Sequence, residues 1–180
     1  MRRSKVKWRS EFPVIKIGGW TLIAHPLFID QLMALRDAVK QARAEDPANY
    51  KRTGNAKLLA AITEIALRRI PADPTNKRYR QGGTLGDDYK HWFRDKFGNG
   101  RFRMFFRYDG TSKVIAFVWV NDEDSLRTRG SKSDAYAVFK KMLDSGNPPD
   151  SWETLKAQCK GLDEIEGLAE DVAQALNDPE

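Results

Sequence analysis

Apolar residues recur along this chain in two rhythms, and the changes of rhythm divide it into elements. After Gly18-Gly19, the run Trp20–Ala24 (WTLIA) predicts a short strand. Pro26 suits the first turn of a helix, where no N–H is needed. Phe28, Leu32, Leu35 and Val39 then follow at helical spacing, and the helix ends before Asp46-Pro47, because a residue preceding proline avoids the helical region. Leu58, Ile62 and Ile65 mark a second helix over 56–70, stopped by Asp73-Pro74. Residues 71–90, with Pro71, Pro74, Gly82, Gly83 and Gly86, predict a loop. His91–Phe97 predicts a strand and Gly98-Asn99-Gly100 a tight turn. Arg101–Tyr108 alternates as a strand, Asp109–Ser112 turns, and Lys113–Val120 (KVIAFVWV) has the unbroken apolar character of a central strand buried on both faces. Ser133 or Asp134 can cap a helix that carries Val138, Phe139 and Met142 and runs to about Asp144. Leu162, Ile165, Ala169, Val172 and Leu176 predict one more amphipathic helix, rich in acids. The sum is an α+β domain: helices early, then an antiparallel sheet, then a helix on the sheet.

Length and composition narrow the class. A chain of 180 residues, 41% of them hydrophobic, has material for one domain with a real core. No apolar run reaches the roughly 18–20 residues that span a bilayer. The basic start, MRRSKVKWRS, is not followed by the apolar stretch of a signal peptide, which predicts a cytoplasmic protein with no membrane contact. The one cysteine, Cys159, excludes an internal disulfide and a four-cysteine zinc site.

The net charge of +6 conceals a polarity. Residues 68–107 hold eleven Lys and Arg against Asp73, Asp87, Asp88 and Asp95, whereas residues 144–180 hold ten acids against Lys156 and Lys160. A basic body with an acidic tail predicts a polyanionic partner for the body.

The strand 101–108 sharpens that expectation. Alternation places Phe102, Met104, Phe106 and Tyr108 on one face and Arg101, Arg103, Phe105 and Arg107 on the other. Guanidinium forks match phosphate oxygens, and Phe105 between them can stack a base. A hairpin through the glycine turn brings Arg94 and Lys96 beside Arg101 and Arg103. Arg127 follows the last strand, and Lys132, Asp134 and Tyr136 follow at the start of the next helix, whose N-terminus itself attracts phosphate.

The motifs of other chemistries are missing: there is no HExxH, no GxxxxGK[ST] and no GxSxG. No metal and no cofactor is expected. RNA cleavage without metal remains open, with the RNA's own 2′-OH as nucleophile. Of the two histidines, His25 precedes Pro26 at a strand–helix junction and predicts a structural role. His91 lies beside the basic strand and is a candidate site residue.

Several ordered motifs then carry a resemblance. GWTLIAHPLF, DPANYKR, KLLAAI, YRQGGTLG, GRFRMFFRY, KVIAFVWVNDEDSLRTRG, SDAYAVFKKML and NPPDSW together resemble the YhaV toxins, which are RelE-like toxins of bacterial toxin–antitoxin pairs. The resemblance runs from about Gly19 to about Leu155. It implies a RelE-like α+β fold with N-terminal helices packed on a twisted antiparallel sheet and a C-terminal helix. It also implies an mRNA endoribonuclease acting on the ribosome. The implied partners are a PrlF-type antitoxin of AbrB-like fold and, through that complex, operator DNA. On this reading residues 1–18 are a basic leader, 19–158 the toxin domain and 159–180 an acidic tail.

Carried over by position, Arg103 takes the place of the arginine that holds the scissile phosphate and Arg127 that of the second catalytic arginine. Arg94 and Lys96 correspond to a basic pair one strand earlier. Tyr136 or Asp134 falls near the helix residue that completes the site. Arg101, Arg107, Phe105, His91, Lys132 and Asp134 are the expected RNA contacts. Two other readings stand beside this one: a ribosome-independent RNase using His91, and a non-catalytic nucleic-acid-binding or co-repressor protein. A lysine within a cationic cluster is a further candidate for the general base.

Overall fold

The structure is a computed structural model and describes residues 15–164 and Gly167. Most of the leader and the tail-helix positions Ile165, Ala169, Val172 and Leu176 lie outside the described residues.

The strands are β1 (Lys16–Ile17), β2 (Trp20–Ala24), β3 (Phe93–Phe97), β4 (Phe102–Asp109), β5 (Val114–Val120) and β6 (Lys160–Gly161). They form one sheet in the order β1-β2-β5-β4-β3, with β6 on the same edge of β2 as β1. The α+β class holds. Four of the five pairings are antiparallel, and β2–β5 is parallel. A parallel neighbour needs a crossover, which the early helices and the β3–β4 hairpin supply.

The helix limits follow local chemistry. α1 (Pro26–Glu45) starts with proline at its first turn and stops at Asp46, before Pro47. His25 caps it: Nδ1 accepts from the Leu27 N–H at 3.2 Å, and Nε2 lies 2.8 Å from Gln158 Oε1. α2 (Gly54–Glu64) begins two residues earlier than the apolar stripe predicts, because the Thr53 hydroxyl accepts from the Ala56 N–H. It continues through a π turn (Ile65–Arg69) into α3 (Ile70–Ala72). α4 (Ala135–Asp144) is capped by Asp134. α5 (Trp152–Gln158) is a short helix that the periodicity of the sequence does not announce.

These helices cover both faces of the sheet. Phe28, Leu32, Ile62, Ile65 and Ile70 pack on Leu22, Met104, Phe106 and Phe117. Phe139, Leu143 and Leu155 pack on Phe105, Val118 and Trp119 on the other side. All seven residues of β5 are buried, as its unbroken apolar run predicts. A bulge between Phe105 and Phe106 shifts the β4–β5 register and turns both Val118 and Trp119 toward α4. Among the described residues no helix is long and apolar enough to cross a membrane.

Double coverage corrects one expectation. The Arg101–Arg107 face of β4 is not an open platform. Phe105 is fully buried, with its ring 4.1 Å from that of Phe139 and stacked also on Trp119, so it cannot stack a base. The neighbour of a central strand buried on both faces must itself be covered, and the arginines reach solvent only at the ends of that layer.

Candidate active site

At the start of β4, the hairpin register sets Lys96 directly opposite Arg103 and Arg94 opposite Phe105. Opposite residues project to the same face, so Arg94, Lys96 and Arg103 gather at one end of the α4 side. α4 supplies the centre of the cluster. The Tyr136 hydroxyl oxygen accepts from Arg94 Nε at 2.7 Å and from Arg103 Nε at 3.0 Å. The Arg127 guanidinium lies over the Tyr136 ring, 4.9 Å from its centroid. Arg103 lies 5.6 Å from the same centroid.

The electrostatics are unbalanced. Arg94 and Arg103 are 6% and 5% exposed, and neither has a carboxylate partner among the described residues. They are held by neutral acceptors instead: Arg94 Nη1 donates to the Arg78 carbonyl at 2.8 Å, and Arg103 Nη1 to the Gly100 and Phe102 carbonyls at 2.7 and 3.0 Å. Burying a cation is costly unless an anion compensates it. Two such cations side by side leave a concentrated positive field at this end of the sheet.

Asp134 is the only carboxylate in contact with the cluster among the described residues, and its oxygens are already engaged. Oδ1 accepts from Arg127 Nη1 at 2.5 Å and from the Thr128 N–H at 2.7 Å, while Oδ2 accepts from the Tyr136 N–H at 3.1 Å. Expected as an RNA contact, it is instead buried and joins the loop carrying Arg127 to the helix carrying Tyr136. A carboxylate turned toward RNA would repel it.

Asn121 is the residue that the sequence reading passed over. It is 2% exposed and sits just after the apolar run of β5. Its Oδ1 accepts from the Arg103 N–H at 2.5 Å, and its Nδ2 donates to the Arg101 and Ser125 carbonyls at 3.0 and 2.9 Å. The Arg127 N–H donates to the Arg101 carbonyl at 3.1 Å. Asn121 therefore clamps the start of β4 to the loop that leads to Arg127. An amide directly after seven buried apolar positions was the available signal, since a buried polar group must find partners.

The other expected site residues divide in two. Arg101, Lys96 and Lys132 are exposed at or near this end of the sheet. His91 and Arg107 are not part of the cluster. Arg107 is four residues beyond Arg103 on β4, about 13 Å along the strand. There it lies between the Trp92 and Trp152 rings and donates Nη1 to the Asp150 carbonyl. His91 Nε2 is 2.6 Å from Asp150 Oδ1, which also accepts from Trp92 Nε1. This second group ties the segment before α5 to the sheet. His25 is buried as the helix cap, which works against its charged form and lowers its pKa from the usual 6.5. Burial likewise pushes the Cys159 thiol up to about 12, away from nucleophilic use.

The family described as a toxin with endonuclease activity, of a toxin–antitoxin system, matches residues 22–160. The ribonuclease toxin YhaV of Escherichia coli K12 is 46% identical over 151 residues, which span 83% of this chain and 97% of that one. The toxin YhaV of Escherichia coli O6:H1 is 45% identical over the same shares. No solved structure is significantly similar. The match spans β2 to β6 and every residue of the arginine cluster, and the chain belongs to the YhaV family of endonuclease toxins from toxin–antitoxin systems.

Proposed function

We propose that this toxin is an mRNA endoribonuclease that cuts on the ribosome without a metal, at the cluster formed by Arg94, Lys96, Arg103, Arg127 and Tyr136. The observation that carries this reading is the pair of buried guanidiniums, Arg94 and Arg103, that meet on one hydroxyl and have no carboxylate partner among the described residues. A phosphate is the complementary group. The 2′-hydroxyl of the RNA gives its proton to water as its oxygen attacks the adjacent phosphorus, the bond to the 5′-oxygen breaks as that oxygen takes up a proton, and a 2′,3′-cyclic phosphate remains. Charge builds on the phosphoryl oxygens, where Arg103 and Arg127 stabilise it and exposed Lys96 adds to the positive field. Both lone pairs of the Tyr136 oxygen are occupied by arginine N–H groups, so its own O–H is what it offers to a third partner. This supports Tyr136 as the proton donor toward the departing 5′-oxygen. The same reading assigns neutralisation to a PrlF-type antitoxin, operator DNA binding to the toxin–antitoxin complex, and action to the cytoplasm.

Primer-extension mapping of a reporter mRNA tests it, with and without translating ribosomes. Cuts are expected only with ribosomes, and Arg103→Ala is expected to lower the cleavage rate about 100–1000-fold, the effect of removing one preorganised charge-stabilising donor. Equal cutting of naked RNA removes the ribosome from the mechanism. Full activity of Arg103→Ala removes the site.

A further inference from the structure

Much of the basic charge lies outside the Tyr136 cluster, and it is concentrated along one line. β3 is the edge strand of the sheet, and the segment 77–80 runs beside it, with Arg80 bridged to Phe93. This segment is in contact with the site, because the Arg78 carbonyl accepts from Arg94 Nη1. Lys77, Arg78 and Arg80 are exposed along it, and Lys96 is exposed near the far end of β3. Arg69 and Arg78 both bond to Asp95, which is buried, so two cations share one acid. Asp73, the other acid nearby, accepts from Thr75 and Asn76. From Phe93, bridged to Arg80, to Lys96 the strand rises about 10 Å.

From this we infer that the outer edge of β3, together with the segment 77–80, carries the sugar–phosphate backbone of the substrate RNA away from the scissile phosphate. The inference rests on the function proposed above. Charge complementarity selects the occupant. Lys77, Arg80 and Lys96 have no carboxylate partner among the described residues, whereas Asp87, Asp144 and Asp150 are each paired with Lys90, Lys140 and His91. Tyr79 is buried in the core and leaves no stacking platform on the segment, so this surface contacts backbone and reads no bases.

The test is the full-length double variant Lys77→Ala/Arg80→Ala. Neither side chain makes a hydrogen bond or ion pair among the described residues. The probe is a single-stranded RNA oligonucleotide carrying 2′-O-methyl groups, which cannot be cut, followed by fluorescence anisotropy across a salt series. The slope of log affinity against log salt is expected to fall by about 0.7 per lost phosphate contact, about 1.4 in all. The loss should be equal for two unrelated sequences, and KM for ribosome-bound mRNA should rise. An unchanged slope, or no binding by the unmodified protein, overturns the path. So does an effect confined to vacant ribosomes, which would assign the surface to ribosomal RNA. The two readings separate cleanly: normal cleavage with an unchanged slope removes only the path, and a reduced slope in a protein that never cleaves removes only the catalytic reading.

Discussion

At the scale of single residues, the site turns on one hydroxyl. Tyr136 organises Arg94 and Arg103 through its oxygen and Arg127 through its ring. Tyr136→Phe keeps the ring and deletes the oxygen, leaving two buried Nε–H groups without an acceptor. Cleavage is expected to slow by about 100-fold or more, with stability lower by about 1–3 kcal/mol for an unsatisfied buried donor. Rates on ribosome-bound mRNA and a urea melt read both, and full-rate cleavage by the variant would remove Tyr136 from the chemistry. His25 gives a separate prediction. Burial lowers its pKa in the fold, so the unfolded chain takes up the proton first as pH falls through about 6.5. Its stabilising contribution is therefore intact above that pH and is lost progressively below it. His25→Asn retains a cap acceptor and should flatten the fall in unfolding free energy between about pH 7.5 and about pH 5.5. Identical pH slopes in the two proteins would refute this.

At the scale of elements, the arginines are placed by how segments are clamped to one another. The β3–β4 register opposes Lys96 to Arg103, Asn121 ties β4 to the following loop, and Asp134 ties that loop to α4. Asn121 touches no catalytic group except through backbone, so its role is positional. Asn121→Ala should cost about 1–3 kcal/mol and lower kcat while KM stays near its original value. Its coupling to Arg127→Ala should be non-additive, because both changes loosen the same arrangement. Additive effects on kcat would show that Asn121 only stabilises. The hairpin and the Arg face of β4 were legible in the sequence, since alternation and glycine turns are local signals. That α4 and α5 cover this face was not, because a period of two assigns residues to two faces without saying what packs on either.

At the scale of the whole molecule, a strand near the end of the described residues, β6, belongs to the sheet. β6 pairs with β2 beside β1, and Leu162 is 2% exposed in the α1–α2 side of the core. Truncation after Gln158 removes both and bares the edge of β2. Losing a buried leucine costs about 2–5 kcal/mol, so the melting temperature should fall by on the order of 10 °C for a domain this size. An unchanged melting temperature would show that β6 adds nothing to the fold. Exposed Lys77, Arg78, Arg80 and Lys96 gather on the β3 edge of the sheet, where they raise the local positive field.

The sequence by itself determined the features that depend on neighbours a few residues apart. Pro26 and Asp46-Pro47 bound α1, glycine turns set the β3–β4 hairpin, and the apolar run of β5 marks a strand buried on both faces. Tertiary structure alone decided which charges meet. Arg94, Arg103, Arg127 and Tyr136 are separated by up to 42 residues along the chain yet share one hydrogen-bonded cluster, while His91, only three residues before Arg94, belongs to another. It also decided that β2 pairs parallel to β5, that Phe105 is core, and that Asp134 faces inward. The reason is physical. Local sterics and side-chain period act over one or two turns of chain, whereas convergence of distant side chains requires strand register and helix packing, which are set by burial across the whole domain.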